Sequence, residues 1–167
     1  MSMIGNVLRM STKKVEALRA NPERITRVLY PSEDGDTVMS DDVHLDLEKA
    51  WHGIHFLLTG EVWEGELPLA FLVRGQELGD VDVGYGPARS FDASEVRAIA
   101  EALGPISPSM LRSRFDPRAT GWSEVYPTHG AAPDDEAREY FISYYEALRA
   151  FVLETAELGA GLIVYIN

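Results

Sequence analysis

A long amphipathic segment followed directly by a short apolar run constrains the fold of this chain more than any other feature. Pro133 and three acidic residues at 134–136 are typical of a helix N-terminus, and Gly159 and Gly161 are typical of its end. Between them a core stripe recurs every three or four residues: Ala137, Phe141, Tyr144, Leu148, Phe151, Thr155 and Leu158. Residues 162–166, Leu-Ile-Val-Tyr-Ile, then predict a buried strand.

At the start of the chain the order is reversed, with a predicted strand followed by helices. Residues 3–10 predict a strand, Ser11 an N-cap, and Pro22 the first position of a second short helix after the break at Asn21. Helices are also predicted from 41 or 42 to Gly60, over 67–73, from the capping box at 92–95 to about 103, and from 107 to about 115. Residues 81–91 predict an irregular strand with a bulge or turn.

Strands at both ends of the chain, with most helices between them, predict an α+β fold. The terminal strands are expected to pair in a small sheet packed by several helices, including the long C-terminal one. A length of 167 residues with 46% apolar residues is enough for one domain spanning 1–167.

Composition narrows the class of protein. The chain has no cysteine, no basic and apolar leader at its N-terminus, and no apolar run near the roughly 18 residues of a membrane span. We therefore expect a cytoplasmic protein that does not enter a membrane. The net charge of −12 should repel phosphate backbones, which argues against nucleic acid as a partner.

About half of this charge is concentrated in one segment. Residues 31–50 hold seven acidic side chains and one lysine, or about −6. Such runs are usually solvated surface, but this one also suggests a docking surface for a basic protein. Its candidate partner-binding residues are Glu33, Asp34, Asp36, Asp41, Asp42 and Asp46.

Residues 51–60, Trp-His-Gly-Ile-His-Phe-Leu-Leu-Thr-Gly, hold the most distinctive side chains. On a helix, Glu48, His52 and His55 would lie along one face and could in principle bind a metal. Core histidines with ordinary hydrogen-bond partners are the more common outcome, so we assign no metal and no cofactor. Gly53 should cost about 1 kcal/mol relative to alanine, which suggests that another backbone packs closely against it.

The glycine-rich residues 84–89, Gly-Tyr-Gly-Pro-Ala-Arg, do not form a phosphate-binding loop. The third glycine of a dinucleotide fingerprint is missing, and Pro87 removes a main-chain donor. A tight backbone feature that aims Arg89, and with it Tyr85, into a cleft or a structural ion pair explains the segment better. No Gly-x-Ser-x-Gly element indicates a serine hydrolase.

Six segments together resemble the YfbM-like family, small bacterial proteins grouped as a domain of unknown function. They are residues 3–5, 51–60, 84–89, 114–117, 125–127 and 145–151, in order along nearly the whole chain. The resemblance implies an α+β domain in a bacterial cytoplasm, and it brings no reaction, cofactor or catalytic residue with it.

Two functions remain open. The first, slightly preferred, is a non-catalytic acidic module that binds a basic protein. The alternative is a small-molecule-binding protein or enzyme, whose pocket would gather side chains from otherwise separate segments. Its candidate residues are Trp51, His52, His55, Tyr85, Arg89 and Tyr126.

Overall fold

A five-stranded antiparallel sheet lies at the centre of the fold in the computed structural model, which describes residues 2–31, 43–128 and 130–167. Its strands are β1 (Gly5–Met10), β2 (Val43–Asp46), β3 (Gln76–Asp82), β4 (Pro87–Phe91) and β5 (Gly161–Ile166). Their order across the sheet is β2-β1-β5-β4-β3. The terminal strands β1 and β5 are direct neighbours, with Gly5 opposite Ile166 and Met10 opposite Gly161. The predicted α+β fold and the pairing of its terminal strands are confirmed.

Helices cover both faces of the sheet. They are α1 (Thr12–Ala20), α2 (Ile25–Leu29), α3 (Trp51–Thr59), α4 (Ala93–Leu103), α5 (Pro108–Ser113) and α6 (Asp135–Glu157), with 3₁₀ turns at Pro22–Arg24 and Thr120–Ser123. Because strand side chains alternate between faces, Val7 of β1 packs in the larger core with α3, α4 and α6. Its neighbour Leu8 packs on the opposite face with Val15 of α1 and Ile25 of α2.

The helix ends follow the signals in the sequence. Ser11 Oγ accepts a hydrogen bond from the Lys14 main-chain N–H at 3.3 Å. Asp92 and Glu95 form the reciprocal capping box at the start of α4, and Gly60 ends α3 in the left-handed conformation. These elements form as predicted because each depends on contacts within a few residues.

The helix predicted from residue 41 or 42 to Gly60 is wrong in its first half. Residues 43–46 form the edge strand β2, where Val43 lies opposite Arg9 of β1. Asp46 Oδ1 then accepts the Glu48 main-chain N–H at 2.6 Å, and Glu48 takes a positive φ of 49°. This turn separates strand from helix, so Glu48 is not on the helix that carries His52 and His55.

Two other segments also differ from their predicted form. Residues 67–73 form hydrogen-bonded turns rather than a helix. Each of their main-chain hydrogen bonds closes a single turn; for example, the Arg74 N–H donates to the Ala70 carbonyl at 2.8 Å. Residues 81–91 contain the expected turn, at 83–86, but the segment belongs to a hairpin whose first strand, β3, begins earlier than predicted, at Gln76.

Gly53 is a point of close packing, although its neighbour is a side chain and not another backbone. A Cβ added at Gly53 would lie 2.5 Å from Cε1 of the Phe141 ring on α6. The missing Cβ therefore lets α3 and α6 approach each other closely.

The acidic segment is only partly described. Glu33, Asp34, Asp36, Asp41 and Asp42 lie outside the described residues, whereas Asp46 ends the edge strand β2 and is exposed.

Candidate functional site

An open cleft of about 410 Å³ lies beside the end of β5, between the turn that precedes β4 and the segment that follows α3. Its volume falls in the range of pockets that hold small molecules. The residues that line it are Met3, Trp51, Trp63, Val73, Arg74, Tyr85, Arg89 and Ile166.

Arg89 is the main charged group of this cleft. It lies on β4 directly opposite Glu77 of β3, and its side chain is only 18% exposed. The distance from Arg89 Nη2 to Glu77 Oε1 is 3.8 Å, too long for a hydrogen bond. Within the described parts of the chain, its guanidinium has no hydrogen-bond acceptor. The guanidinium donors of Arg89 are therefore available to a molecule in the cleft.

Arg74 adds a second positive charge at the same place. It follows the turns at 67–73 and is exposed at the cleft. No carboxylate in the described ranges lies within ion-pair distance of it. Burial lowers the pKa of Arg89 below its usual value, the nearby charge of Arg74 lowers it further, and Glu77 opposes both. Two arginines thus share one cleft of a strongly acidic protein.

The turn at 83–86 places Tyr85 at the cleft. Asp82 Oδ1 accepts main-chain hydrogen bonds from Gly84 at 2.8 Å and Gly86 at 3.0 Å. The Tyr85 N–H donates to the Ile166 carbonyl at 3.0 Å, which seats the turn on the end of β5. A Cβ at Gly84 would lie 2.6 Å from the Asn167 main chain. This geometry explains why the segment needs glycine at residue 84.

Two tryptophans form the aromatic side of the cleft. Trp51 is buried at the start of α3, and its indole Nε1–H donates to the Met3 carbonyl at 3.2 Å. Trp63 is 48% exposed, and its ring centroid lies 4.1 Å from that of His52 and 5.9 Å from that of Trp51. The Trp63 ring is therefore supported from behind while it stays open to a ligand.

His52 lies behind this aromatic side, and both of its ring nitrogens are engaged. Nδ1 accepts the Tyr126 main-chain N–H at 3.0 Å, and Nε2 donates to the Val62 carbonyl at 2.7 Å. The phenolic oxygen of Tyr126 in turn accepts the Met3 N–H at 3.2 Å. His52 and Tyr126 therefore connect the wall of the cleft without lining it.

His55 is buried one turn further along α3. Among the described residues, neither of its ring nitrogens has a hydrogen-bond partner. Burial lowers its pKa from 6.5 to about 4; His52 and Arg74 contribute in the same direction, and the main chain of Glu64 opposes them. His55 is thus a neutral imidazole at neutral pH.

Comparison with known proteins defines the family. A family model described as a domain of unknown function, DUF1877, matches residues 1–165. The chain belongs to the DUF1877 family. Its fold is similar to the crystal structure of YfbM from Escherichia coli, a protein of unknown function, with a TM-score of 0.67 and 22% sequence identity. That match covers 98% of this chain and 99% of YfbM. None of the functionally curated proteins matches the chain.

In this DUF1877 chain, the six candidate pocket residues fall into two groups. Trp51, Tyr85 and Arg89 line one cleft. His52, His55 and Tyr126 do not line it. The sequence prediction missed Arg74 and Trp63, although an isolated tryptophan among the glutamates at 61, 64 and 66 is an available signal.

Glu48, His52 and His55 do not form a metal-binding face on one helix, because Glu48 is in a turn and both ring nitrogens of His52 are engaged in hydrogen bonds. Over residues 2–31, 43–128 and 130–167, no three histidine, aspartate or glutamate side chains are grouped as metal ligands would be. None of the helices in these ranges is both long and apolar enough to cross a bilayer.

Proposed function

We propose that this protein binds a small anionic molecule in the cleft between Arg89 and Trp63. The observation that carries the proposal is the state of Arg89: a largely buried guanidinium that faces the cleft, without a hydrogen-bond acceptor in the described ranges. Desolvated donors of this kind are costly unless a ligand or water binds them. A bound anion would supply that partner.

The positions of the two histidines favour binding over acid–base catalysis. His52 uses both ring nitrogens in main-chain hydrogen bonds, and His55 lies behind the cleft. A general acid or base needs hydrogen-bond reach to the reacting molecule. Binding alone requires only the arginines and the aromatic wall, and these line the cleft.

A second cleft of about 360 Å³ at the end of α3 offers a useful contrast. Arg114, which lines it, donates to the Leu58 carbonyl at 3.3 Å, and Asp116 is paired with Arg118 at 3.1 Å. The charged groups of that cleft already have partners. The cleft at Arg89 is the better candidate for an anion.

Proton–nitrogen correlation spectra would test the proposal, because the chain has three tryptophan indoles. Benzoate, phenyl phosphate, benzyl alcohol and benzylamine serve as probes. We expect benzoate or phenyl phosphate to shift the indole signals of Trp51 and Trp63 more than benzyl alcohol and benzylamine do, while the Trp122 signal, from a residue outside this cleft, stays in place. Failure of both anionic probes to shift the two cleft indoles would contradict the proposal.

A pair of arginine variants locates the binding. Arg89→Met and Arg97→Met each remove one positive charge, but Arg97 lies on the exposed side of α4. Binding of an anionic probe should fall at least tenfold in Arg89→Met, as expected for the loss of a charged hydrogen-bond donor, and stay unchanged in Arg97→Met. Equal losses of affinity in the two variants would indicate that the anion responds to the overall charge of the protein and not to Arg89.

A second candidate is the basic protein partner suggested by the acidic segment, acting in a bacterial cytoplasm and not on nucleic acid. Its support in the described part of the chain is the pair of exposed carboxylates of Asp46 and Glu48 at the edge strand β2 and the turn after it. Burial raises the pKa of Tyr144, and these two charges raise it further. Binding to a candidate partner should weaken with salt and in Asp46→Asn. Insensitivity to both changes would exclude this function.

A further inference from the structure

We infer that the ligand of the cleft is a carboxylate attached to a flat apolar body, and that Glu77 competes with this ligand for Arg89. This inference rests on the proposed function and specifies the chemical class of the ligand. It follows from three observations: the loose pair between Glu77 and Arg89, the second charge of Arg74, and the exposed aromatic rings at the rim.

Glu77 and Arg89 form an ion pair without a hydrogen bond. The two residues are cross-strand partners on β3 and β4, so the glutamate can reach the guanidinium only from its own strand. The result is a single contact at 3.8 Å, with the Glu77 side chain 54% exposed. A free carboxylate can instead approach within the cleft and make two short parallel hydrogen bonds, the geometry that a guanidinium fork favours.

The charges around Arg89 favour one negative charge on the ligand over two. Arg74 lines the cleft and attracts any anion, whereas Glu77, which does not line the cleft, is held on β3 with its carboxylate 3.8 Å from Arg89. A second negative charge on the ligand would be repelled by it. A monovalent carboxylate is therefore the better match than a phosphate group.

The rest of the cleft is suited to a flat apolar body. Trp63 and Tyr85 are among the exposed large hydrophobic residues of the chain, at 48% and 41% exposure, and both line this cleft. Met3, Val73 and Ile166 also line it and add apolar surface. Aromatic rings next to aliphatic side chains favour a planar apolar group by stacking and by burial.

Titrations with matched probes would test the ligand class. Phenylacetate, phenyl phosphate, benzyl alcohol, benzylamine and acetate separate the anionic head from the aromatic body, and the indole signals of Trp51 and Trp63 report occupancy. We expect phenylacetate to bind about tenfold or more tightly than benzyl alcohol, because of these two probes only phenylacetate carries a charge for charge-assisted hydrogen bonds to Arg89. We also expect it to bind more tightly than acetate and phenyl phosphate.

Glu77→Gln tests the role of Glu77. If Glu77 competes for Arg89, this variant binds phenylacetate several-fold more tightly than the unaltered protein. A glutamate that serves only to hold Arg89 in place would give the opposite result, a weaker complex. Asp80→Asn is the matched control, because it removes one negative charge from an exposed position on the same strand. It should change the affinity by much less.

The outcomes separate this inference from the proposed function. If benzyl alcohol or benzylamine shifts the cleft indoles as strongly as phenylacetate does, the cleft does not select anions, and both the carboxylate class and the proposed function are wrong. Tighter binding of phenyl phosphate assigns the cleft to phosphate esters and also overturns the inference. Unchanged or weaker binding in Glu77→Gln overturns the role given to Glu77. If no probe shifts the cleft indoles, the proposed function itself fails.

Discussion

The main-chain N–H of Tyr126 donates a hydrogen bond to Nδ1 of His52 at 3.0 Å, across 74 residues of sequence. Because Nδ1 accepts, the ring proton is on Nε2, which donates to the Val62 carbonyl at 2.7 Å. The imidazole also stacks on the Trp51 indole, with ring centroids 4.7 Å apart. One neutral histidine thus connects α3 to two later segments of the chain, at Val62 and at Tyr126, and supports the aromatic wall of the cleft.

Replacement of His52 by phenylalanine should destabilise the fold. The ring contact with Trp51 can persist, but the Val62 carbonyl and the Tyr126 N–H lose their partner. Because a buried polar group without a partner costs about 1–3 kcal/mol, we expect the free energy of unfolding to fall by about 2 kcal/mol or more. Urea unfolding would measure this, with Glu16→Ala on the exposed face of α1 as a control near zero. A fall no larger than that of the control would contradict the structural role of His52.

His55 should make the stability of the protein depend on pH between about 6.5 and 4. Its pKa in the folded protein is lowered to about 4, so in this range the unfolded chain binds a proton that the folded protein does not. The stabilising effect is complete above pH 6.5 and is lost as the pH falls, by about 1.4 kcal/mol per unit. Urea unfolding of His55→Leu should show a correspondingly smaller decline between pH 6.5 and 4.5. Parallel declines in the two proteins would show that His55 does not cause it.

Gly53→Ala should destabilise the protein although alanine is the better helix former. The added Cβ would lie 2.5 Å from the Phe141 ring, and overpacking of this kind costs about 1–3 kcal/mol, against a gain of about 1 kcal/mol in helix propensity. Thermal or urea unfolding would measure the net loss. In a Phe141→Leu background, Gly53→Ala should lower the free energy of unfolding by less than it does in the unaltered protein. The loss caused by Gly60→Ala should be the same in both backgrounds, because Gly60 has open space around it and its φ of 76° alone disfavours alanine. An unchanged cost of Gly53→Ala in both backgrounds would exclude the clash as its cause.

Local signals predicted a large part of this fold. The capping box at Asp92, the cap at Ser11 and the glycine end of α3 are each determined within a few residues. The pairing of β1 with β5 also followed from the sequence, because two apolar strands at the chain ends need a shared sheet to be buried. The tight turn at 83–86 was correctly expected from its glycines, whereas the sequence left open whether Arg89 would enter a cleft or a structural ion pair.

The features that were missed depend on distant partners. The four residues of β2 alternate between apolar and polar, but so short a pattern is also compatible with the start of a helix, and they form a strand because β1 offers an edge to pair with. Arg74 and Trp63 belong to irregular segments whose approach to Arg89 is set by tertiary packing. Histidine spacing suggested a metal-binding face, but the hydrogen bond between His52 and Tyr126 joins residues that no local pattern relates.

Glu48 marks the point where the predicted helix fails, and its backbone gives a further prediction. Its φ of 49° lies in the left-handed region, which costs a residue with a side chain about 1–2 kcal/mol and costs glycine almost nothing. Glycine also has more freedom in the unfolded chain, which offsets about 0.5–1 kcal/mol of the gain. We therefore expect Glu48→Gly to raise the free energy of unfolding by about 0.5 kcal/mol. Glu61→Gly, at an exposed position without a positive φ, should lower it. Urea unfolding of both variants would measure these opposite signs, and a loss in Glu48→Gly equal to that in Glu61→Gly would show that the left-handed turn is not strained.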